Sequence, residues 1–134
     1  DFQFKMVNSL ILSGIAMEIA GSSRPASGSE HLISHALDEV CAKPLMHGLQ
    51  VGVATYLCSL LQENKTSFVK EFLTGIGFVD FLSKNPINIA EFKQALKQAP
   101  YIKQDYYTVL TEKDSLDKAL KFLETDQTLK KIIK

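Results

Sequence analysis

Histidine is the usual metal ligand and proton carrier near neutral pH. The three histidines of this 134-residue sequence, His31, His35 and His47, fall within seventeen residues of one another. His31 and His35 are four apart, which on a helix puts their Cβ atoms about 6 Å apart on one face. That spacing suits a shared metal, or one metal ligand beside one substrate contact. Leu32 stands where the HExxH of zinc peptidases needs its general base, so that chemistry is excluded. An antiparallel helix pair would bring His47 back alongside His31. A catalytic divalent ion takes about three protein ligands plus an open position. His31 and His47 are the best two. Asp38 lies two turns beyond His31, and Glu30 and Glu39 are poor thirds, so the set is one ligand short.

The loop before the histidines adds a second feature. Fourteen of the fifteen basic residues are lysine, and the one arginine, Arg24, precedes the start of the histidine helix. A cation there opposes the helix dipole. An anion held between Arg24 and the amides near Ser27, Ser29 and Glu30 would remove the conflict, and phosphate fits such a site. Pairing of Arg24 with Glu30 or another acid would remove it equally well.

The elements that carry these residues read as helices almost throughout. Val7, Leu10, Ile11, Gly14 and Met17 recur at helical steps, and Gly21 suits a C-terminal stop. Ser27-Gly28-Ser29-Glu30 reads as a capping box that opens a second helix running to about Cys41. Pro44 suits the first turn of a third helix, on which Gly48 and Gly52 would admit a neighbouring backbone. Phe68, Val69, Phe72, Leu73 and Ile76 form a stripe after a Thr66 or Ser67 cap. Asn88 to Glu91 is another capping box. The segment Tyr106–Leu110 could be extended, and Asp114 or Ser115 and then Asp126 cap the last two helices. The expectation is an all-α bundle of about seven helices in one domain, without repeats or a βαβ pattern.

Composition sets the boundaries. A hydrophobic share of 46%, a charged share of 22% and zero net charge are globular values that give no footing for nucleic acid or an anionic membrane. No apolar run approaches about 18 residues, so no membrane span is expected. No basic leader opens the sequence, and Cys41 and Cys58 read as reduced thiols, which together point to the cytoplasm. Residues 1–62 carry only eight of the 30 acidic and basic side chains. Either the domain's own core covers that half or a partner domain does, and a large exposed apolar patch there would favour the partner.

The string GSSRPASGSEHLISH followed by HGLQVGV resembles the C-terminal helical domain of sn-glycerol-1-phosphate dehydrogenases. These belong to the superfamily of glycerol dehydrogenases, iron-containing alcohol dehydrogenases and 3-dehydroquinate synthases. The likeness is strongest over residues 13–56 and extends more loosely to APYIKQDYYTVL. It implies the helical domain of a dehydroquinate synthase-like fold, paired with an N-terminal Rossmann-like NAD(P) domain that residues 1–134 do not include. It implies His31 and His47 as two ligands of a divalent metal (zinc first, iron(II) or nickel(II) as alternatives). The third ligand would be an acidic residue upstream of Asp1. His35 would be the catalytic, substrate-side histidine, and Arg24, Ser27 and Ser29 would face a small phosphorylated substrate. The implied reaction is hydride transfer between NAD(P)H and dihydroxyacetone phosphate, giving sn-glycerol 1-phosphate. Leu49 stands where many of the superfamily carry glutamate, so no carboxylate role is carried over there. Other substrates of the superfamily (glycerol or another alcohol, or a dehydroquinate synthase-like ring closure) and a non-catalytic helical binding module are the alternative readings. Self-association into a homo-oligomer is compatible with all of them.

Overall fold

Helical periodicity is realised along the whole chain. The computed structural model describes residues 1–134 and contains eight α-helices: α1 (Phe2–Ala20), α2 (Ser29–Val40), α3 (His47–Leu61), α4 (Thr66–Gly75), α5 (Phe78–Lys84), α6 (Ile89–Gln98), α7 (Ser115–Thr125) and α8 (Leu129–Ile132). Two 3₁₀ turns, Ala99–Tyr101 and Val109–Thr111, join α6 to α7. There is no strand, only a single parallel bridge between Ile87 and Ile133 that ties the C-terminal residues beside the start of α6. The count exceeds the expected seven by one short helix, because Gly77 at φ 77° breaks the Phe68–Leu82 region into α4 and α5.

Several local signals act as their chemistry dictates. Gly21 adopts the left-handed conformation and ends α1. Asn88 Oδ1 accepts from the Ala90 and Glu91 amides, and Asp126 Oδ1 accepts from those of Thr128 and Leu129. Others are overridden. Ser27 does not cap α2: Gly28 is the N-cap, without a side-chain cap bond, and Glu30 alone reaches back to the Gly28 amide. Pro44 lies in the loop before α3 instead of in its first turn. Lys65 and Asp114, both left-handed, precede α4 and α7 without side-chain cap bonds. Residues 106–110 form no strand: Thr108 is locally extended, and its reciprocal cap with Thr111 winds only Val109–Thr111 into a 3₁₀ turn. At Gly52 it is the Phe78 ring that comes close, leaving no room for a Cβ, while Gly48 faces open space.

The core is built on the α2–α3 pair. Leu32, Ile33, Ala36 and Leu37 of α2 are fully buried against Val53, Ala54 and Leu57 of α3, with Phe92, Ala95 and Leu96 of α6 closing the other side. The polar edge of α2 is thereby held rigidly against the start of α3, where the histidines lie.

α1 stands apart from this core. None of its nineteen residues is buried, and Phe2, Leu10 and Ile19 are 74%, 66% and 82% exposed. A helix that is apolar on every side is one that other protein normally surrounds. This is the exposed patch that favours a partner domain over self-cover. The 134-residue chain is expected to bind an apolar-surface dye strongly, and deletion of residues 1–20 should remove most of that signal while leaving the unfolding midpoint unchanged. Dye binding that survives the deletion undiminished would contradict the assignment. No helix is long and apolar enough to cross a membrane.

Candidate functional site

The loop between α2 and α3 places His47, the first residue of α3, over the polar edge of α2. The ring centroids of His31 and His47 are 5.2 Å apart, and those of His35 and His47 are 5.8 Å apart. The three histidines singled out by their spacing therefore form one cluster, with His47 between the other two. His31 and His35 are half-buried and His47 is exposed.

Two of the rings are tied down through the same nitrogen. His31 Nδ1 lies 2.8 Å from Glu30 Oε1, and His47 Nδ1 lies 2.9 Å from Ser34 Oγ. In both rings Nε2 is left as the nitrogen without a hydrogen-bond partner. Burial raises the Glu30 pKa, but bonds from the Gly28 amide, the His31 ring and its own amide outweigh that and hold the carboxyl below its usual range. Glu30 thus stays ionised against the His31 ring. A carboxylate that orients a histidine through Nδ1 is the common outer support of a metal-binding imidazole.

The chain does not bring three His, Cys, Asp or Glu side chains together in a group that could hold a metal ion. The donor chemistry still fits one in part: two imidazoles side by side, each with its Nε2 open. Asp38 is not a third donor. It is exposed and accepts a 3.1 Å bond from Gln50 Nε2.

Arg24 is held across the loop. Its guanidinium lies 4.3 Å from the Tyr106 ring centroid, Nη2 donates 3.1 Å to the Asp105 carbonyl, and Nη1 donates 3.4 Å to that of Tyr107. No carboxylate pairs with it, which removes the acid-pairing reading of this residue. Lys103 Nζ lies 5.0 Å from the same ring and bonds Ser23 Oγ at 3.3 Å, so two cations share one tyrosine. Lys103 and Tyr106 could not be found from sequence, because they are about 80 residues from the loop they complete. A cleft of about 240 Å³ opens here, bordered by Arg24, Ser27, Ser29, Tyr106 and Thr108.

The start of α2 is less open to an anion than its serines suggest. Ser29 is buried, the Ser27 carbonyl accepts from the Tyr106 hydroxyl, and the Gly28 amide is already satisfied by Glu30. The chain's own carboxylate therefore fills the place expected for phosphate amides, and the free positive charge lies with Arg24 and Lys103. Both thiols are unpaired: Cys58 borders the cleft beside Ser29 and Glu30, and Cys41 lies at the far end of α2. Burial pushes Cys58 up to about 12 and Cys41 up to about 11, so neither is a ready nucleophile.

No family model matches the chain. Curated relatives do. It is 43% identical over 114 residues to the glycerol-1-phosphate dehydrogenase, NAD(P)+, of Thermococcus sibiricus, which covers 85% of this chain and 32% of that protein. The Methanothermobacter thermautotrophicus protein of the same name is 43% identical over 107 residues, covering 80% and 31%. That of Pyrococcus furiosus is 42% identical over 106 residues, covering 79% and 31%. The chain spans about a third of the length of the curated relatives it matches.

Proposed function

We propose that this chain, being similar over about four-fifths of its length to a segment of the glycerol-1-phosphate dehydrogenases, is the helical wall of such an active site. In this reading it works beside a Rossmann-like NAD(P) domain, and the pair interconvert dihydroxyacetone phosphate and sn-glycerol 1-phosphate. The observation that carries the reading is the convergence of His31 and His47, each anchored through Nδ1 with Nε2 open. The bare apolar surface of α1 supports a companion domain. Two unpaired thiols fit a reducing, cytoplasmic compartment.

His31 and His47 would hold a divalent ion (zinc before iron(II) or nickel(II)) together with an acidic ligand from outside these residues. When bound, the ion would supply Lewis-acid polarisation of the substrate oxygen, and a nicotinamide held by the companion domain would supply the hydride. Glu30 fixes the plane of the His31 ring. His35, half-buried beside His47, orients the substrate hydroxyl or passes a proton to it. Arg24, held flat on Tyr106 with Lys103 nearby, meets the phosphate with the guanidinium protons that the two carbonyls leave free. Ser27 and Ser29 shape this end of the cleft through the loop backbone.

Arg24→Ala is expected to raise KM for dihydroxyacetone phosphate by about 10- to 100-fold, the loss of a charge-assisted contact of about 1.5–3 kcal/mol. KM for unphosphorylated glycerol should move less than about threefold. An equal effect on both substrates would show that Arg24 supports the loop and not the phosphate.

A further inference from the structure

Gln50 is an amide on the core side of α3 at 1% exposure, and Ser34 is a hydroxyl at the centre of α2 at 0%. Burying two polar side chains among Leu and Val is costly unless their hydrogen bonds are complete. Here they form one chain of bonds whose direction can be read from chemistry alone.

Asp38 is a carboxylate and can only accept, so the group it faces at 3.1 Å is the Gln50 amide nitrogen, and this fixes which way the Gln50 amide points. Gln50 Oε1 then faces Ser34, and a carbonyl oxygen can only accept. The single Ser34 proton is therefore given to Gln50 Oε1, 2.6 Å away. Toward His47, 2.9 Å away on its other side, Ser34 Oγ has only a lone pair to offer. The neutral His47 ring must bring the proton, on Nδ1, and this leaves the Nε2 lone pair facing out.

The geometry points to Asp38, Gln50 and Ser34 as a positioning relay that sets the tautomer and ring plane of His47, so that Nε2 is presented as a metal-binding nitrogen. The inference rests on the proposed metal role of His47. It assigns functions to Ser34 and Gln50, neither of which touches substrate, and to Asp38, whose acidity suggested a ligand but which acts on His47 from three hydrogen bonds away. It also makes the two imidazoles equivalent in kind: His31 is oriented through Nδ1 by the Glu30 carboxylate, and His47 by a neutral hydroxyl. The buried Ser34–Gln50 bond stiffens the second of these supports.

Three variants test the relay. Ser34→Ala removes the acceptor. Gln50→Met keeps a side chain of similar volume but removes the carbonyl, which frees the Ser34 proton to turn toward His47 Nδ1 and drive the ring proton onto Nε2. Ser34→Thr keeps the hydroxyl. The protein is taken at full length, companion domain included, with ¹⁵N-labelled histidine and without metal at about pH 8.5, above the ordinary range of imidazole titration. Ring ¹⁵N shifts, assigned by loss of the His47 signal in His47→Gln, report which nitrogen carries the proton.

Wild type and Ser34→Thr are expected to carry it on Nδ1, and Ser34→Ala and Gln50→Met to shift it toward Nε2. Zn²⁺ affinity, measured by competition with a chelating dye, should fall about 10- to 100-fold in the latter two and be recovered in Ser34→Thr, as for other outer-sphere supports. A wild-type His47 protonated on Nε2, or a Ser34→Ala protein that keeps both tautomer and affinity, would overturn the relay. An Nδ1 proton that follows the variants as described, in a wild-type protein that binds no Zn²⁺, would uphold the relay and overturn the metal reading on its own.

Discussion

Replacing His47 with alanine is expected to lower kcat/KM for dihydroxyacetone phosphate reduction by about a thousandfold, while the unfolding free energy stays within about 0.5 kcal/mol of wild type. The first figure follows from losing one of two imidazole ligands. A cation that polarises a carbonyl supplies several kcal/mol of transition-state stabilisation, and about 4 kcal/mol corresponds to a thousandfold in rate. The second follows from position: His47 is exposed at the first turn of α3, and its one hydrogen bond leads into a relay that water can replace at the Ser34 hydroxyl. The same substitution at His31 should act alike on activity. Steady-state kinetics and a denaturation curve on one preparation read both quantities. Activity within tenfold of wild type would remove His47 from the ligand set.

Phe92→Ala is expected to do the reverse, lowering stability by about 3–5 kcal/mol and leaving catalysis per folded molecule close to wild type. Phe92 is fully buried on α6 and is the largest side chain closing the core beside α2. Its loss opens a cavity where α6 packs against α2. Against the 5–15 kcal/mol typical of a folded domain, about 3–5 kcal/mol is a large fraction. The urea midpoint should drop with the slope of the transition unchanged. A change below about 1 kcal/mol would mean that the core can collapse around the gap.

The sequence made some of this visible for reasons that can be stated residue by residue. Gly21, Asn88 and Asp126 act through their own backbone or the next two or three amides, so the local string suffices to place them. The histidine cluster was visible because a rare residue type recurred at helical spacing, and the fold-back between α2 and α3 did the rest. Ser27 was misplaced as a cap because α2 starts one residue later, with Gly28 as the N-cap and the Glu30 carboxylate reaching back to the Gly28 amide. The apolar recurrence in α1 reads as a core face by period, yet the helix is apolar on every side and bare, because a pattern of apolar residues does not report what covers them.

The supporting residues were hidden for a different reason. Ser34 and Gln50 are uncharged and common, and their roles exist only once α3 lies on α2. Their sequence signal was limited to polar residues within otherwise apolar stripes, which is where a buried hydrogen-bond network would show. Tyr106 and Lys103 reach Arg24 across some 80 residues of chain, a separation that no local pattern encodes.

The central claim is that His31 and His47 serve a metal-dependent, NAD(P)H-linked reduction of dihydroxyacetone phosphate. The most direct test follows loss of NAD(P)H absorbance in the full-length protein with dihydroxyacetone phosphate, before chelation, after it, and after Zn²⁺ is restored. The account predicts turnover that yields sn-glycerol 1-phosphate, disappears on chelation, and returns with the metal in the wild-type protein but not in His31→Ala or His47→Ala. Turnover that survives chelation undiminished, or that the metal restores equally in the two histidine variants, would contradict it.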